Sequence, residues 1–329
     1  MIERDFSPRD LKEAFFPVTQ RPLRWVDMYN RQHPILGYKA LVDDLGNHIS
    51  IVSGRYKLVT NEDAYSLAKY VIKGVFQTAK LSDFKCYNIY MPTTRSSCRI
   101  DLIIPGSERN PFEGGRDTWT PFLRISNSYN HTCVLSYEVG FCRSICLNGV
   151  IFGNNGVKIS FDHNSQVSQH TIAEQIVNQA YKKIGDIERL WTNVRNKLTV
   201  LRKIQVPIGM WLAVFCKIFN VRIETENISP KRLEMLIDKK ESLINSAKEY
   251  AAEMGETAYG LLNMLTDYAS YPVGVFAPHN YVHAYQRKVG QWADEFISAS
   301  SAANFNLNKY VGLENMETAV KLKELKIEK

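Results

Sequence analysis

The stretch Phe122-Leu-Arg-Ile-Ser-Asn-Ser-Tyr-Asn-His-Thr-Cys-Val-Leu-Ser-Tyr-Glu-Val-Gly-Phe-Cys-Arg-Ser-Ile-Cys-Leu-Asn-Gly149 decides the class of fold. Two runs of strand-forming residues, Phe122 to Ser126 and Cys133 to Arg143, flank a polar cluster from Ser126 to His131 that reads as a turn. Asn148-Gly149 is a second turn signal and closes the stretch. Arg143 stands inside an apolar run, which costs free energy unless the guanidinium is paired or that face binds a ligand. Arg124 and Arg143 are therefore candidate contacts to an anionic partner, and an arginine paired inside the fold is the structural alternative.

Working outward, the residues before this stretch are also strand-like. Ile35 to Val42, a turn at Asp43-Asp-Leu-Gly-Asn47, and His48 to Val52 resemble a hairpin. Further runs are Lys85 to Met91, Cys98 to Ile104 and Val150 to Ser160. Thr60 with Asp63 three residues on can cap a helix whose apolar face is Tyr65, Leu67, Ala68, Val71, Ile72, Val75 and Phe76. The loop Gly106 to Thr118 carries Glu108, Arg109, Glu113, Arg116 and Asp117, and is expected to be exposed.

After about residue 165 the period changes from two to three or four. Ile172, Ile176, Ala180, Ile184, Ile187, Leu190, Val194, Leu198 and Leu201 predict a long amphipathic helix, with Gly185 as a bend. Pro207 ends or restarts it, and Ile208 to Phe219 is apolar nearly all round and should be buried. Ser229-Pro230 is an N-cap with proline at the first helical position, opening a helix to about Met254. Glu256 to Tyr268 and Tyr281 to Ile297 read as two more helices, and Glu314 to Lys329 as an amphipathic one. The expectation is an α+β protein. A strand-rich, antiparallel N-terminal half (residues 1–161) packs against a helical C-terminal half (residues 162–329). No flexible linker separates them, so one integrated domain is the alternative.

The chain has 329 residues, 45% hydrophobic and 23% charged. That balance excludes disorder and fibrous repeats as the main state. No stretch approaches the roughly 20 uncharged apolar residues of a membrane helix. The N-terminus lacks the basic start and apolar run of a signal peptide, so a cytoplasmic protein is expected. Six cysteines do not make a disulfide scaffold and read as small buried hydrophobes.

The net charge of +7 is concentrated. From Ala180 to Leu233 eleven Lys or Arg stand against four Asp or Glu, so this one segment carries the whole surplus. At 100° per residue Lys182, Arg189 and Lys203 fall opposite the apolar stripe, Arg195, Lys197 and Arg202 flank it, and Lys183 falls inside it. A basic segment of this density points to an anionic partner such as nucleic acid, although a solvated helix face has the same pattern. Tyr129, Tyr181 and Trp191 are candidate stacking faces, with Trp191 nearer the core stripe.

Signatures of chemistry are missing. There is no phosphate-cradling Gly-rich loop with Lys-Ser/Thr, no Gly-x-Gly-x-x-Gly and no Gly-x-Ser-x-Gly. Asp43-Asp44 and Glu62-Asp63 are explained by a turn and a helix start. Glu224 and Glu226 flank Thr225 with nothing converging on them. His279-Asn-Tyr-Val-His283 has the spacing of paired zinc ligands, but Asn280 replaces the glutamate of metalloprotease helices and no third ligand is evident. The expectation is no catalysis, no metal and no cofactor.

Short segments resemble a phage- and plasmid-borne family catalogued as domain of unknown function 932. Arg55-Tyr56-Lys57-Leu58-Val59-Thr60-Asn61 is similar to that family's segment leading into a helix. Asn127-Ser128 matches the start of a later turn, and Phe141, Arg143, Cys146 and Asn148 match a Phe-x-Arg-x-x-Cys-x-Asn segment. Glu253 to Asn263, with Thr266 and Tyr268, resembles a late helical segment. The turn reads Tyr129-Asn130-His131-Thr132 where the family tends to have His-Asp-Gly, so no role of the family's Asp transfers to Asn130. The resemblance implies a mobile-element protein in a bacterial cytoplasm and carries no activity. Two expectations follow. The first is a nucleic-acid-binding protein of phage replication or recombination, with single-strand annealing as one form and a homo-oligomer as the assembly. It would hold single-stranded DNA through Lys182, Lys183, Arg189, Arg195, Lys197, Lys203, Arg124 and Arg143. The second is an accessory protein that binds and blocks a host defence protein without catalysis.

Overall fold

A computed structural model describes residues 7–77, 79–115, 117–153, 159–161, 176, 186–223 and 228–326. Three strands come first: β1 (Val18–Val26), β2 (Gln32–Asp43) and β3 (His48–Ser53), an antiparallel sheet in that order. The hairpin read at Asp43 to Asn47 forms between β2 and β3, with Asp43 Oδ1 accepting from the amides of Leu45 and Asn47. β1 carries no strand signal in the sequence, because Pro22 and the arginines around it break the apolar alternation. The strand tolerates Pro22 because it lies at the sheet edge, where the register shifts.

The second sheet runs β4 (Lys85–Tyr90), β5 (Ser97–Ile103), β6 (Trp119–Ser128), β7 (Leu135–Arg143) and β8 (Asn148–Val150), with β9 (Ile159–Phe161) pairing β7; every pairing is antiparallel. One face is apolar: Cys98, Ile100, Leu102, Leu123, Ile125, Tyr137, Val139 and Phe141 join the main core. The helix α1 (Asn61–Val75) covers it, held by the expected capping box of Thr60 and Asp63 and by Tyr137 Oη donating to the Ala64 carbonyl at 2.9 Å. The other face carries a cross-strand row of charge, Asp101 beside Arg124 beside Glu138.

Asn148-Gly149 is not a turn. The turn is Ser144 to Leu147, with Leu147 in the left-handed region, and Asn148 and Gly149 are strand residues. The glycine is there for close approach: a Cβ at Gly149 would stand 2.8 Å from Gln286 Nε2, and its amide donates to Ser270 Oγ at 2.9 Å. Helices thus come down onto β8 where a hairpin signal stood in the sequence.

Helices follow: α2 (Ile187–Lys203), α3 (Ile208–Phe219), α4 (Pro230–Met254), α5 (Ala258–Ser270), α6 (Val282–Ser300), α7 (Leu307–Val311) and α8 (Leu313–Glu324). Asp186 N-caps α2, its side chain accepting from the Glu188 amide, so the long stripe is interrupted there; the part from Ile172 to Gly185, apart from the buried Ile176, lies outside the described residues. Ser229 caps α4 as read, and α3 is buried, with Trp211, Val214, Phe215 and Cys216 all at 0% exposure. Each such large apolar side chain contributes about 1.5–3 kcal/mol on burial. The last described helices dock: Val311, Ala319 and Leu322 are buried against the same core. Strands to about residue 150 followed by helices from 187 make this an α+β protein, as expected.

Candidate functional site: a basic aromatic arm, a cationic helix face and the Arg143 cleft

The segment with the charge surplus is described in part. On α2, Ile187, Leu190, Trp191, Val194, Leu198 and Leu201 face inward. Arg189, Arg195, Arg202 and Lys203 are exposed on the outer arc of the helix. The acid on that arc, Glu188, is taken by Arg109 in a two-bond pair at 2.6 and 2.7 Å, which holds its carboxyl below the usual range. Lys197 is drawn away into an ion pair with Asp294 at 2.5 Å. Lys182, Lys183 and Tyr181, with Glu224 and Glu226, lie outside the described residues.

Arg124 is not a surface contact. It is fully buried, and its Nε and Nη2 bind Asp101 at 2.6 and 2.5 Å. Asp101 lies directly across from it on β5, so the burial cost is met by the neighbouring strand. Tyr129 and Trp191 are buried too, at 0% and 8% exposure, so neither offers a stacking face.

Exposed aromatic side chains stand elsewhere, on β1, on β2 and on the turn between them. The outer part of the β1–β2 hairpin projects with both faces in solvent: Arg21, Arg24, Trp25, Val26, Met28, Tyr29, Arg31, Leu36 and Tyr38 are all exposed. Trp25 stacks on His33 opposite it, ring centres 4.5 Å apart, and Arg31 lies 5.2 Å over the Tyr29 ring. The tip is a built turn. Asp27 Oδ1 accepts from the amides of Tyr29 and Arg31, and Asn30 takes the left-handed conformation that asparagine tolerates. His33 Nε2 at 2.9 Å and these amides hold the Asp27 carboxyl below its usual range. From Val18 to Lys39 four cations, Arg21, Arg24, Arg31 and Lys39, face this one acid. A dense alternation of Arg with aromatic residues was the available signal, hidden because it lacks an apolar face.

The family-motif residues form the frame. Tyr56 Oη donates to the Ser128 carbonyl at 3.3 Å, and Asn127 Nδ2 donates to the Val59 carbonyl and to Asn61 Oδ1, each at 3.0 Å. The first two motif segments are thereby stitched together at the start of α1. Phe141 packs on Trp191, and Asn148 Nδ2 donates to Tyr250 Oη at 3.0 Å. Cys146 is buried at 1%, and the described thiols are all free.

The third and fourth segments meet at Arg143. This side chain is 2% exposed; its Nε donates to Asp117 Oδ1 and its Nη2 to Glu253 Oε1, each at 2.6 Å. Tyr259 Oη donates to the other Asp117 oxygen and accepts from Trp119 Nε1 at 3.1 Å. Burial and the Asp117 charge push the Tyr259 hydroxyl far up, so it stays protonated as a donor. Arg143 Nη1 has no hydrogen-bond partner among the described residues. The loop is exposed at Gly106, Glu108 and Glu113, as expected, and is anchored by Arg109 to Glu188 and by Asp117 to Arg143. Around these groups lies a cleft of about 350 Å³, lined also by Phe112, Ile145, Arg202 and Met254.

No metal centre accompanies these features: the described residues hold no group of three His, Cys, Asp or Glu placed to bind an ion. His279 falls in a short 3-10 turn before α6, while His283 Nε2 lies 3.3 Å from Glu138. No helix among the described residues is long and apolar enough to cross a membrane.

Comparison with curated proteins and with solved structures gave no match. The family described as Domain of unknown function (DUF932) matches residues 48–272, which take in all four motif segments, the Arg143 cleft and the cationic face of α2, and leave the β1–β2 arm outside. With more than half of its length in that match, the chain belongs to the DUF932 family.

Proposed function

We propose that this is a nucleic-acid-binding protein that acts by holding single-stranded DNA, without catalysis, in the replication or recombination of a bacterial mobile element. The observation that carries the reading is the projecting arm, where Arg21, Arg24, Arg31 and Lys39 interleave with exposed Trp25, Tyr29 and Tyr38. Single strands are gripped by this pairing of cations for phosphates and flat rings for unstacked bases. The outer face of α2, with Arg189, Arg195, Arg202 and Lys203, supplies a second run of cations. Annealing of complementary strands, a homo-oligomeric assembly and a cytoplasmic setting belong to the same proposal. A second reading, a block on a host defence protein by direct contact, is favoured by the apolar Met28 and Leu36, exposed at 88% and 84%.

The test is binding to a fluorescent single-stranded oligonucleotide across a salt series, beside a duplex of equal length. Binding that weakens steeply with salt, prefers the single strand and quenches Trp25 is expected. Absence of binding at low salt overturns the proposal and leaves the protein-contact reading in front.

A further inference from the structure

We propose that the cleft beside Arg143 is a pocket for one nucleotide carrying an amino-bearing base, with Glu253 reading the base and Arg202 holding the phosphate. Its volume of about 350 Å³ is at the lower end of small-ligand sites, the range of a single nucleotide. Its chemistry is divided. Arg143 is already answered by Asp117 and Glu253, so the interior carries two carboxylates against one buried guanidinium and does not favour a phosphate. Glu253 spends only Oε1 on Arg143, and its side chain is 31% exposed, which leaves Oε2 to accept from a ligand. The exocyclic amine of cytosine, adenine or guanine is such a donor, and carboxylate acceptance from the cytosine amine is an established pairing.

Arg202 has the opposite character. It is exposed, has no carboxylate partner among the described residues, and lies over the Phe112 ring with Cζ 4.5 Å from its centre. That is the position for an anionic group bound next to an aromatic surface. Phe112, Ile145 and Met254 give the apolar contact that a flat base needs, and Phe112 is itself propped edge-on against Tyr259 at 5.1 Å. Donor, flat apolar body and anion together describe a nucleotide, whether free or extruded from a strand. The inference deepens the single-strand reading and rests on it for the strand form alone.

The experiment uses the full chain and isothermal titration with dCMP and dTMP, then with an oligo-dC and an oligo-dT. The expected result is binding of dCMP with at least ten-fold preference over dTMP. R202Q, at an exposed position, should weaken dCMP at least ten-fold, and E253Q should abolish the preference, because the amide that replaces the free carboxylate oxygen donates where the cytosine amine needs an acceptor. E253Q keeps an oxygen for Arg143, and a thermal melt confirms that it folds. Binding of dCMP without binding of oligo-dC keeps the pocket and overturns the strand reading. Binding of oligo-dC with no mononucleotide bound, and with R202Q unchanged, overturns the pocket and keeps the arm. A preference that survives E253Q overturns the assignment of that residue.

Discussion

Replacing Arg21, Arg24 and Arg31 together by Gln tests the arm most directly. All three side chains are exposed and the arm's outer half packs on no other element among the described residues, so the change should leave the far-UV spectrum and the melting temperature as they are. The arm has four cations that can meet phosphates, counting Lys39. For single strands the slope of log K against log salt is about −0.7 for each phosphate neutralised, so four contacts give about −2.8 and the variant's one gives about −0.7. Raising salt four-fold should then weaken the arm's share of binding about 50-fold in the native protein and about 2.6-fold in the variant, beside any loss from α2 that the two have in common. Fluorescence anisotropy of a labelled single strand between about 50 and about 200 mM salt measures both slopes. A matching triple replacement of Arg189, Arg195 and Lys203 on α2 separates the two cationic surfaces. If the arm variant keeps the native slope and affinity, the arm is not the phosphate track and the reasoning from its charge and rings fails.

Other outcomes follow from the buried parts. Arg124→Met leaves Asp101 charged and alone at 0% exposure, and should cost about 3–5 kcal/mol in a denaturant titration; a loss under about 1 kcal/mol would show that water reaches the pair. Gly290→Ala on α6 would gain up to about 1 kcal/mol in helix propensity, but its Cβ would run into the Ile151 carbonyl. Backbone cannot step aside as a side chain can, so the net effect should be destabilising, and a raised melting temperature would contradict the packing of α6 on the strand. Burial pushes the thiols of Cys86, Cys98 and Cys216 up to about 12. The folded state therefore keeps these protons where the unfolded state loses them. Their share of stability is whole below the ordinary thiol value of about 8.5 and is lost as pH rises from there toward about 12. Urea midpoints taken between those limits should fall steadily, and a disulfide reagent at neutral pH should reach the half-buried Cys133 before any of these three.

One turn and two caps that carry their own chemistry were legible without a structure. Thr60 with Asp63, Ser229 with Pro230, and Asp43 through Asn47 act on backbone within a few residues, so their meaning is complete in the local sequence. The period change from two to three or four similarly told the strands that end at Phe161 from the helices described from Ile187 on, because an amphipathic element states its own buried face. Asn148-Gly149 shows the limit. Its turn propensity was overruled by Gln286 and Ser270, more than a hundred residues away, which need the missing side chain for close approach.

The sequence by itself determined the class of fold, the helix starts, the buried character of α3 and the family, since each rests on periodicity, capping or short motifs. Only the tertiary structure decided what the charged residues do. Arg124, Arg143 and Arg189 look alike in the chain, yet one is sealed against Asp101, one anchors the cleft through Asp117 and Glu253, and one faces solvent. The arm is the converse case: its run of exposed cations and rings is plain only once β1 is known to leave the core behind. A charge acquires its role from the partner brought to it and from the water taken away, and both depend on segments far apart in the chain.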